Sequence, residues 1–292
     1  METTQAAATP AMPHPERSRA VASDGVELPV YRWRAAGIRC ATIALLHGLA
    51  EHAGRYAALA QALNANGIEL VAVDLRGHGH APGPRTWIGR FDEYLLDADA
   101  LVTVAACNDG PLFLMGHSMG GAIAALHAIE KHASHARPLS GLILSSPALA
   151  PGHDVPRWML ALSQKISRVW PRFPAMKIEA ALLSRDRGVV EANRNDPLVH
   201  HGAIPARTGA ELLLAMQRIE HGRAGLRMPL LIWHGTADKL TEPDGSRDFG
   251  AHAGSPDKTL TLYEGSYHET MNDLDRERVI DALVNWILKR SE

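Results

Sequence analysis

The chain has 292 residues, 30 Lys and Arg against 32 Asp and Glu, and a formal net charge of −2. That length can bury a large core, as one α/β domain or as a core with a smaller insert. The balanced charge makes no global field for nucleic acid, and no basic block is interleaved with aromatics, so nucleic acid is not an expected partner.

Residues 1–20 are rich in Ala, Thr and Pro, lack the basic start and apolar run of a secretion signal, and read as a loose tail. Asp24 and Gly25 precede Val26 to Trp33, an opening hairpin. Ala41 to Leu46 is a strand, and Tyr56, Leu59 and Leu63 mark a helix that stops at Gly67. Ile68 to Val73 is the next strand, Phe91 to Ala106 a helix, Leu112 to Met115 a strand and Leu142 to Leu144 another. The rhythm changes near Ser146. Residues 147–206 show no convincing strand, while Val155, Met159, Leu162, Ile166 and Val169 recur on one face of a helix predicted from Pro156 to Trp170, with Asp154 as its N-cap. Alternation resumes with a strand at Leu230 to Trp233, a helix at Ser246 to Ala253, a strand at Thr259 to Tyr263 and a last helix from about Asp273 to Lys289. Short apolar runs alternating with amphipathic helices argue for a mostly parallel sheet covered on both faces. The core is expected at 21–146 and 207–292, with 147–206 inserted as a helical lid.

Cys40 and Cys107 are the two cysteines, far apart and outside any C-x-x-C, which fits a reducing cytoplasm and suggests neither a disulfide framework nor a cysteine zinc site. No stretch approaches the apolar length needed to cross a bilayer, so membrane contact is expected to be peripheral at most.

The run LFLMGHSMGGAIAALHAI, Leu112 to Ile129, puts Ser118 between a buried strand and a helix whose small residues allow close packing. Gly116 and Gly120 lie two residues to either side, giving the G-x-S-x-G elbow in its strand–turn–helix context. A serine hydroxyl is a poor nucleophile without a base, and the base needs an orienting acid. In open α/β sheets such groups follow strands. Asp238 follows the strand in LLIWHGTADKL and His268 follows TLTLY, so the chain order is Ser118, Asp238, His268. Asp248 and His252 compete but fall within a predicted helix, and His234 ends a strand where it is expected to pack. The developing oxyanion needs donors. One is the amide of Met119 at the helix N-terminus; the other is expected in the loop HGLAEHAGRY, at the amide of Leu49. His47 and Gly48 would shape that loop. Glu51 and Arg55, four apart, form either an ion pair bracing it or a solvated surface pair.

HGLAEHAGRY, DLRGHGHAPG, GHSMGG, NDPL, HGTADKL and YEGSYH, in this order, resemble the monoacylglycerol lipase and lysophospholipase group of the α/β-hydrolase superfamily, from about residue 24 to the C-terminus. The resemblance implies an α/β-hydrolase fold with a helical lid and a serine esterase that releases fatty acid and glycerol from monoacylglycerols. It assigns Ser118, Asp238 and His268 as nucleophile, acid and base, with oxyanion amides at Leu49 and Met119. Ala81 departs from it, since that loop usually carries Ser, and puts a local hydrogen bond in doubt. No cofactor is implied. The histidine pairs at 47 and 52, 78 and 80, and 200 and 201 lack metal-site spacing, so no metal is expected.

The expected partner is a small lipid ester. Trp158, Met159, Trp170, Phe173 and Met176 would line an acyl tunnel, touch a membrane or micelle surface, or simply pack on the core. The same triad serves lysophospholipases, thioesterases and prolyl-type aminopeptidases, the last needing lid carboxylates such as Glu179, Asp186, Glu191 or Asp196 to hold an amine. A non-catalytic receptor retaining the fold is the remaining alternative.

Overall fold

Every central strand is an apolar run with both faces covered, and that single property sets the layering. A computed structural model describes residues 14–107, 109–131, 138–152 and 157–291, with the side chains of 157–161 also outside the description. Ten strands and eight α-helices follow in chain order among those residues: β1 (Glu16–Val21), β2 (Glu27–Trp33), β3 (Ala41–Leu46), α1 (Ala57–Ala65), β4 (Ile68–Val73), α2 (Asp92–Ala105), β5 (Leu112–His117), α3 (Met119–Glu130), β6 (Gly141–Ser145), α4 (Arg157–Val169), β7 (Pro174–Met176), α5 (Arg187–Asn195), β8 (Ile204–Pro205), α6 (Ala206–Gly222), β9 (Leu230–Gly235), α7 (Pro243–His252), β10 (Lys258–Tyr263) and α8 (Arg276–Leu288).

Eight strands form one sheet in the order β1-β2-β4-β3-β5-β6-β9-β10, with β2 antiparallel to both neighbours and the remaining pairs parallel. Alternate residues feed two cores. Ala44, Leu46, Leu114, Leu144 and Ile232 pack with α2, α3, α6 and α7; Ile43, Leu45, Met115, Ile143 and Trp233 pack with α1 and α8. Parallel strands all end on the same side, so the loops after β3, β5, β9 and β10 gather at one edge of the sheet. This is the mostly parallel, helix-covered sheet that the alternation predicts.

Three local expectations need correction. Residues 16–20, expected in the tail, belong to β1, paired with β2 from Glu16 opposite Arg32 to Val21 opposite Glu27. Only Ala20 of this edge strand is buried, so its sequence carries almost no apolar signal. The insertion, expected to lack strands, holds the two-stranded β7–β8 sheet, too short to show periodicity. The last helix begins at Arg276 instead of Asp273, because the Asp273 carboxylate holds Arg185 Nε and the Tyr267 amide, at 2.9 and 2.8 Å. The predicted lid helix is α4, but the expected cap Asp154 and first residue Pro156 lie outside the described residues. Among the described residues no helix is long and apolar enough to cross a membrane.

Candidate active site

Ser118 carries the strain of the turn between β5 and α3, with φ 55° and ψ −120°. Such a conformation costs on the order of 1–3 kcal/mol in a side-chain-bearing residue and persists only when its surroundings hold it. Here the Ser118 amide donates to Ser145 O at 3.0 Å, and its carbonyl accepts from the amides of Gly121 and Ala148, each at 3.0 Å. The glycines give proximity. A Cβ on Gly116 would stand 2.1 Å from Gly120 O, one on Gly120 would stand 2.1 Å from Leu46 O, and one on Gly121 would meet Pro147 at 2.6 Å. The elbow is thus pressed against β3 and the loop after β6.

His268 and Asp238 meet in the wall of the cavity that Ser118 also lines. The His268 Nδ1–H donates to Asp238 Oδ2 at 2.7 Å, which leaves Nε2 as its base nitrogen. Asp238 Oδ1 accepts the amides of Leu240 and Thr241 at 2.8 and 3.1 Å, while Oδ2 also accepts the Thr241 hydroxyl at 2.8 Å. Burial alone would raise the Asp238 carboxyl, but His268 and the His234 hydrogen bond outweigh it and hold the group far below the usual carboxylate range. Burial disfavours imidazolium at His268, yet Asp238, with Glu269 and Glu51 beyond it, raises His268 above the ordinary 6.5. Ser118, Asp238 and His268 all line one cavity of about 1050 Å³, together with Leu49 and Met119. The amides of Leu49 and Met119 donate to no protein acceptor among the described residues.

The loop after β3 is held from several sides. His47 Nδ1–H donates to Gly48 O at 2.7 Å while its Nε2 accepts the Leu75 amide at 3.0 Å. Glu51 Oε1 accepts the Gly48 amide at 2.6 Å and the Tyr56 hydroxyl at 2.8 Å. The Glu51–Arg55 pair is buried, at 2.6 Å, and it extends to a third member: Arg55 grips Glu269 with both terminal nitrogens, at 2.7 and 2.9 Å. Burial alone would raise Glu51, but Arg55 pulls it down to about 2. This network ties the loop bearing Leu49 to the residue after His268. His52, in turn, reaches the insertion through Asp196 of NDPL, Nε2 to Oδ2 at 2.8 Å, with Nδ1 accepting the Gly54 amide at 3.1 Å. With both ring nitrogens engaged, neither His47 nor His52 is available to a metal, and no metal-type group of three His, Cys, Asp or Glu occurs among the described residues.

His234 is buried as expected, but it also works through a bond that packing does not require. Its Nε2–H donates to Asp238 Oδ2 at 3.0 Å, and its Nδ1 accepts from the Ser246 hydroxyl at 2.7 Å. The signal was the i, i+4 spacing of His234 and Asp238. Glu269, Thr241 and Tyr56 were not anticipated. The rivals Asp248 and His252 sit together on the exposed side of α7, at 2.9 Å from one another. Ala81 is buried, its amide donating to His78 O at 2.8 Å, and the neighbouring His80 amide donates to Asp74 at 2.8 Å, so main chain and Asp74 hold that loop.

The lining is mostly apolar, with polar members that include Ser163, Asn193, His200 and His201. Ile166, Phe173, Met176 and Ile178 of the insertion line it together with Leu213 and Met216 of α6. Trp170 does not line it and is 62 % exposed. The side chains of Trp158 and Met159 lie outside the described residues.

Known proteins resemble this chain in sequence and fold. Residues 37–275 match the Hydrolase_4 family, described as serine aminopeptidase S33. A monoacylglycerol lipase of Mycolicibacterium smegmatis is 36 % identical over 249 residues, covering 84 % of this chain and 87 % of the relative. A phospholipase of Bacillus subtilis is 32 % identical, covering 83 % of this chain and 93 % of its own. The crystal structure of a monoacylglycerol lipase from Paleococcus ferrophilus, 32 % identical, superposes with a TM-score of 0.78 over 89 % of this chain and 99 % of that one. An elbow serine, a buried carboxylate–imidazole pair and a lidded parallel sheet therefore come with an extended sequence match, and the chain belongs to the Hydrolase_4 (serine aminopeptidase S33) family of α/β-hydrolases.

Proposed function

We propose that the chain hydrolyses the carboxylic ester of monoacylglycerols. The observation that carries this reading is the cavity: a space of about 1050 Å³ with a mostly apolar lining has Ser118, His268 and Asp238 in its wall. Ser118 Oγ attacks the ester carbonyl as its proton passes to His268 Nε2, and Asp238 stabilises the imidazolium that forms. The oxyanion is received by the amides of Leu49 and Met119. Collapse breaks the C–O bond, glycerol leaves with the proton from His268, and an acyl chain remains on Ser118. Water then attacks the acyl-enzyme, its proton taken by His268, and fatty acid departs as Ser118 recovers its own. No cofactor takes part in these steps.

Ester hydrolysis on a lipid is supported by the family and by relatives that are lipases and a phospholipase. The aminopeptidase reading needs an acidic grip on a substrate amine. Glu179, Asp186, Glu191 and Asp196 do not line the cavity; of the glutamates that do, Glu51 and Glu269 share the Arg55 guanidinium, and Glu242 caps α7 by accepting the Asp244 amide at 3.3 Å. Asp186 caps α5 and pairs with Arg276, and Asp196 is taken by His52. The insertion also presents Val169 and Trp170 outward, 87 and 62 % exposed, which suits transient contact with a membrane or micelle from which the substrate enters.

The test compares release of glycerol from a monoacylglycerol with cleavage of a lysophospholipid and a proline anilide. The monoacylglycerol should be preferred, and Ser118→Ala should lower turnover about 10⁴-fold or more while abolishing fluorophosphonate labelling of the peptide around Ser118. Preference for the anilide would replace this reading with the peptidase one.

A further inference from the structure

Gly209 lies in the fourth position of α6, a 17-residue helix, and lines the cavity with Leu213 and Met216, four and seven residues on. Helical spacing puts these three on one face. A glycine inside a helix costs roughly 0.5–1 kcal/mol relative to alanine, so its presence calls for a compensating reason. The usual reasons fail at this position. The backbone there is not left-handed, since Gly209 is absent from the positive-φ glycines. Nor is it a close approach: among the described residues, a Cβ built on Gly209 meets no heavy atom within 4 Å beyond its chain neighbours and its own helix's nearby backbone. Elsewhere in the chain the glycines that matter to the site are packed hard, as Gly116 and Gly120 are against main chain at 2.1 Å. Even the nearby contact between α4 and α6, where Gln164 Nε2 donates to Ala210 O at 3.0 Å, leaves the Gly209 position open.

What the missing side chain preserves is therefore space in the cavity itself. We propose that Gly209 sets the acyl-chain length of the substrate: a long unbranched acyl chain, the one whose carbonyl Ser118 attacks, runs over the bare α6 backbone at this position, among Leu213, Met216, Phe173 and Ile166 of the same cavity lining. The inference rests on the lipid-ester reading above and deepens it, naming long over short acyl chains as the class taken. It also implies a trade between stability and specificity, in which a residue favourable to the helix would shorten the accepted chain.

The proposal predicts opposite changes in two measurements on the same variants. Gly209→Ala adds one methyl into open space; its thermal midpoint should rise above that of the parent, and its hydrolysis of a palmitoyl ester should fall relative to a butyryl ester. Gly209→Phe should lower the palmitoyl-to-butyryl ratio of kcat/KM by about tenfold or more, since filling a pocket by several carbons excludes ligand carbons at tens-fold effects per group. Fluorophosphonate labelling at Ser118 in the same variants reports whether the serine still reacts, so the ratio separates lost long-chain binding from general damage. Using p-nitrophenyl esters for the length series keeps this test separate from the headgroup, so a parent enzyme that releases no glycerol from monoacylglycerols would overturn the substrate reading and leave the ratio measurable. A ratio unchanged in Gly209→Phe, or a fall of equal size at every chain length, overturns the role of Gly209. Should the Phe variant not fold, the ratio in Gly209→Ala decides, an unchanged ratio counting against the proposal.

Discussion

The loops at the carboxyl edge of the sheet and the insertion over them are built by opposite means. At the sheet edge the carboxylates of the site are committed to partners: Asp238 accepts from two imidazoles, a hydroxyl and two amides, and Glu51, Arg55 and Glu269 close a buried network. Across the cavity, the insertion offers apolar side chains with few directional bonds, and Val169, Trp170 and Phe173 stay open to solvent. Chemistry demands sub-ångström placement, which hydrogen bonds in a dry site supply. Accepting a greasy, flexible chain demands only shape and apolar surface. The division predicts that perturbing the first region damages fold and turnover together, whereas perturbing the second changes what is bound.

The sharpest break is Arg55→Met. It leaves Glu51 and Glu269 buried without their cation, and removing one partner of a buried pair typically costs about 3–5 kcal/mol. Urea denaturation should show a loss of this size, and turnover should fall as well, since the network joins the Leu49 loop to the segment carrying His268. The double variant Arg55→Met/Glu269→Gln should recover part of the stability, because one of the stranded charges is gone. A loss under about 1 kcal/mol would mean that the network is as dispensable as a surface pair.

The next effect is smaller and appears in the pH profile. His268 must be neutral to act as base, and its raised pKa places the acid limb of kcat/KM above 6.5, with activity lost as pH falls through that limb. His234 shares Asp238 Oδ2 with His268, so its hydrogen bond withdraws charge that would otherwise stabilise the His268 imidazolium. In His234→Leu the limb should move to higher pH and kcat should drop about tenfold, the scale typical of partners that orient a reacting group. His234→Gln, which retains a donor, should sit nearer the parent. A pH–rate series on a dissolved ester measures both, and a kcat loss with an unmoved limb would reduce His234 to packing.

Legibility in the sequence follows the same division. The strands β3, β4, β5, β6 and β9 were readable because burial on both faces leaves mostly apolar runs, β10 because Thr and Leu alternate along a half-exposed edge, and the places of Asp238 and His268 because each follows one of these strands. The elbow needed only the serine, its glycines and the strand–helix switch around them. Pairings across the fold left no such trace: Arg55 and Glu269 are 214 residues apart, and His52 and Asp196 are 144 apart. The Glu51–Arg55 spacing announced a pair but not its burial, which depends on what covers it. Edge strand β1 was missed because one buried residue in six gives no period to read, and β7 and β8 because two or three residues contain none.

The smallest change is expected at the outer face of the insertion, where the comparison can be sharpened without touching chemistry. Val169 and Trp170 are exposed beside Lys165, Arg168, Arg172 and Lys177, which are exposed as well. Apolar side chains among cations are suited to an interface bearing anionic headgroups, each basic residue near such a surface contributing about 1 kcal/mol. Val169→Ser/Trp170→Ser removes apolar contact area without removing a cavity wall formed by Trp170, since that side chain does not line the cavity. Hydrolysis of a short, dissolved ester should therefore stay within about twofold of the parent, as expected for exposed substitutions remote from the reacting groups. Co-sedimentation with anionic liposomes should fall several-fold, and salt should weaken binding by the parent through its basic residues. If vesicle binding is unchanged while dissolved-ester hydrolysis falls, the outward residues serve the cavity after all, and the separation between a bonded catalytic edge and an apolar receiving face fails at that point.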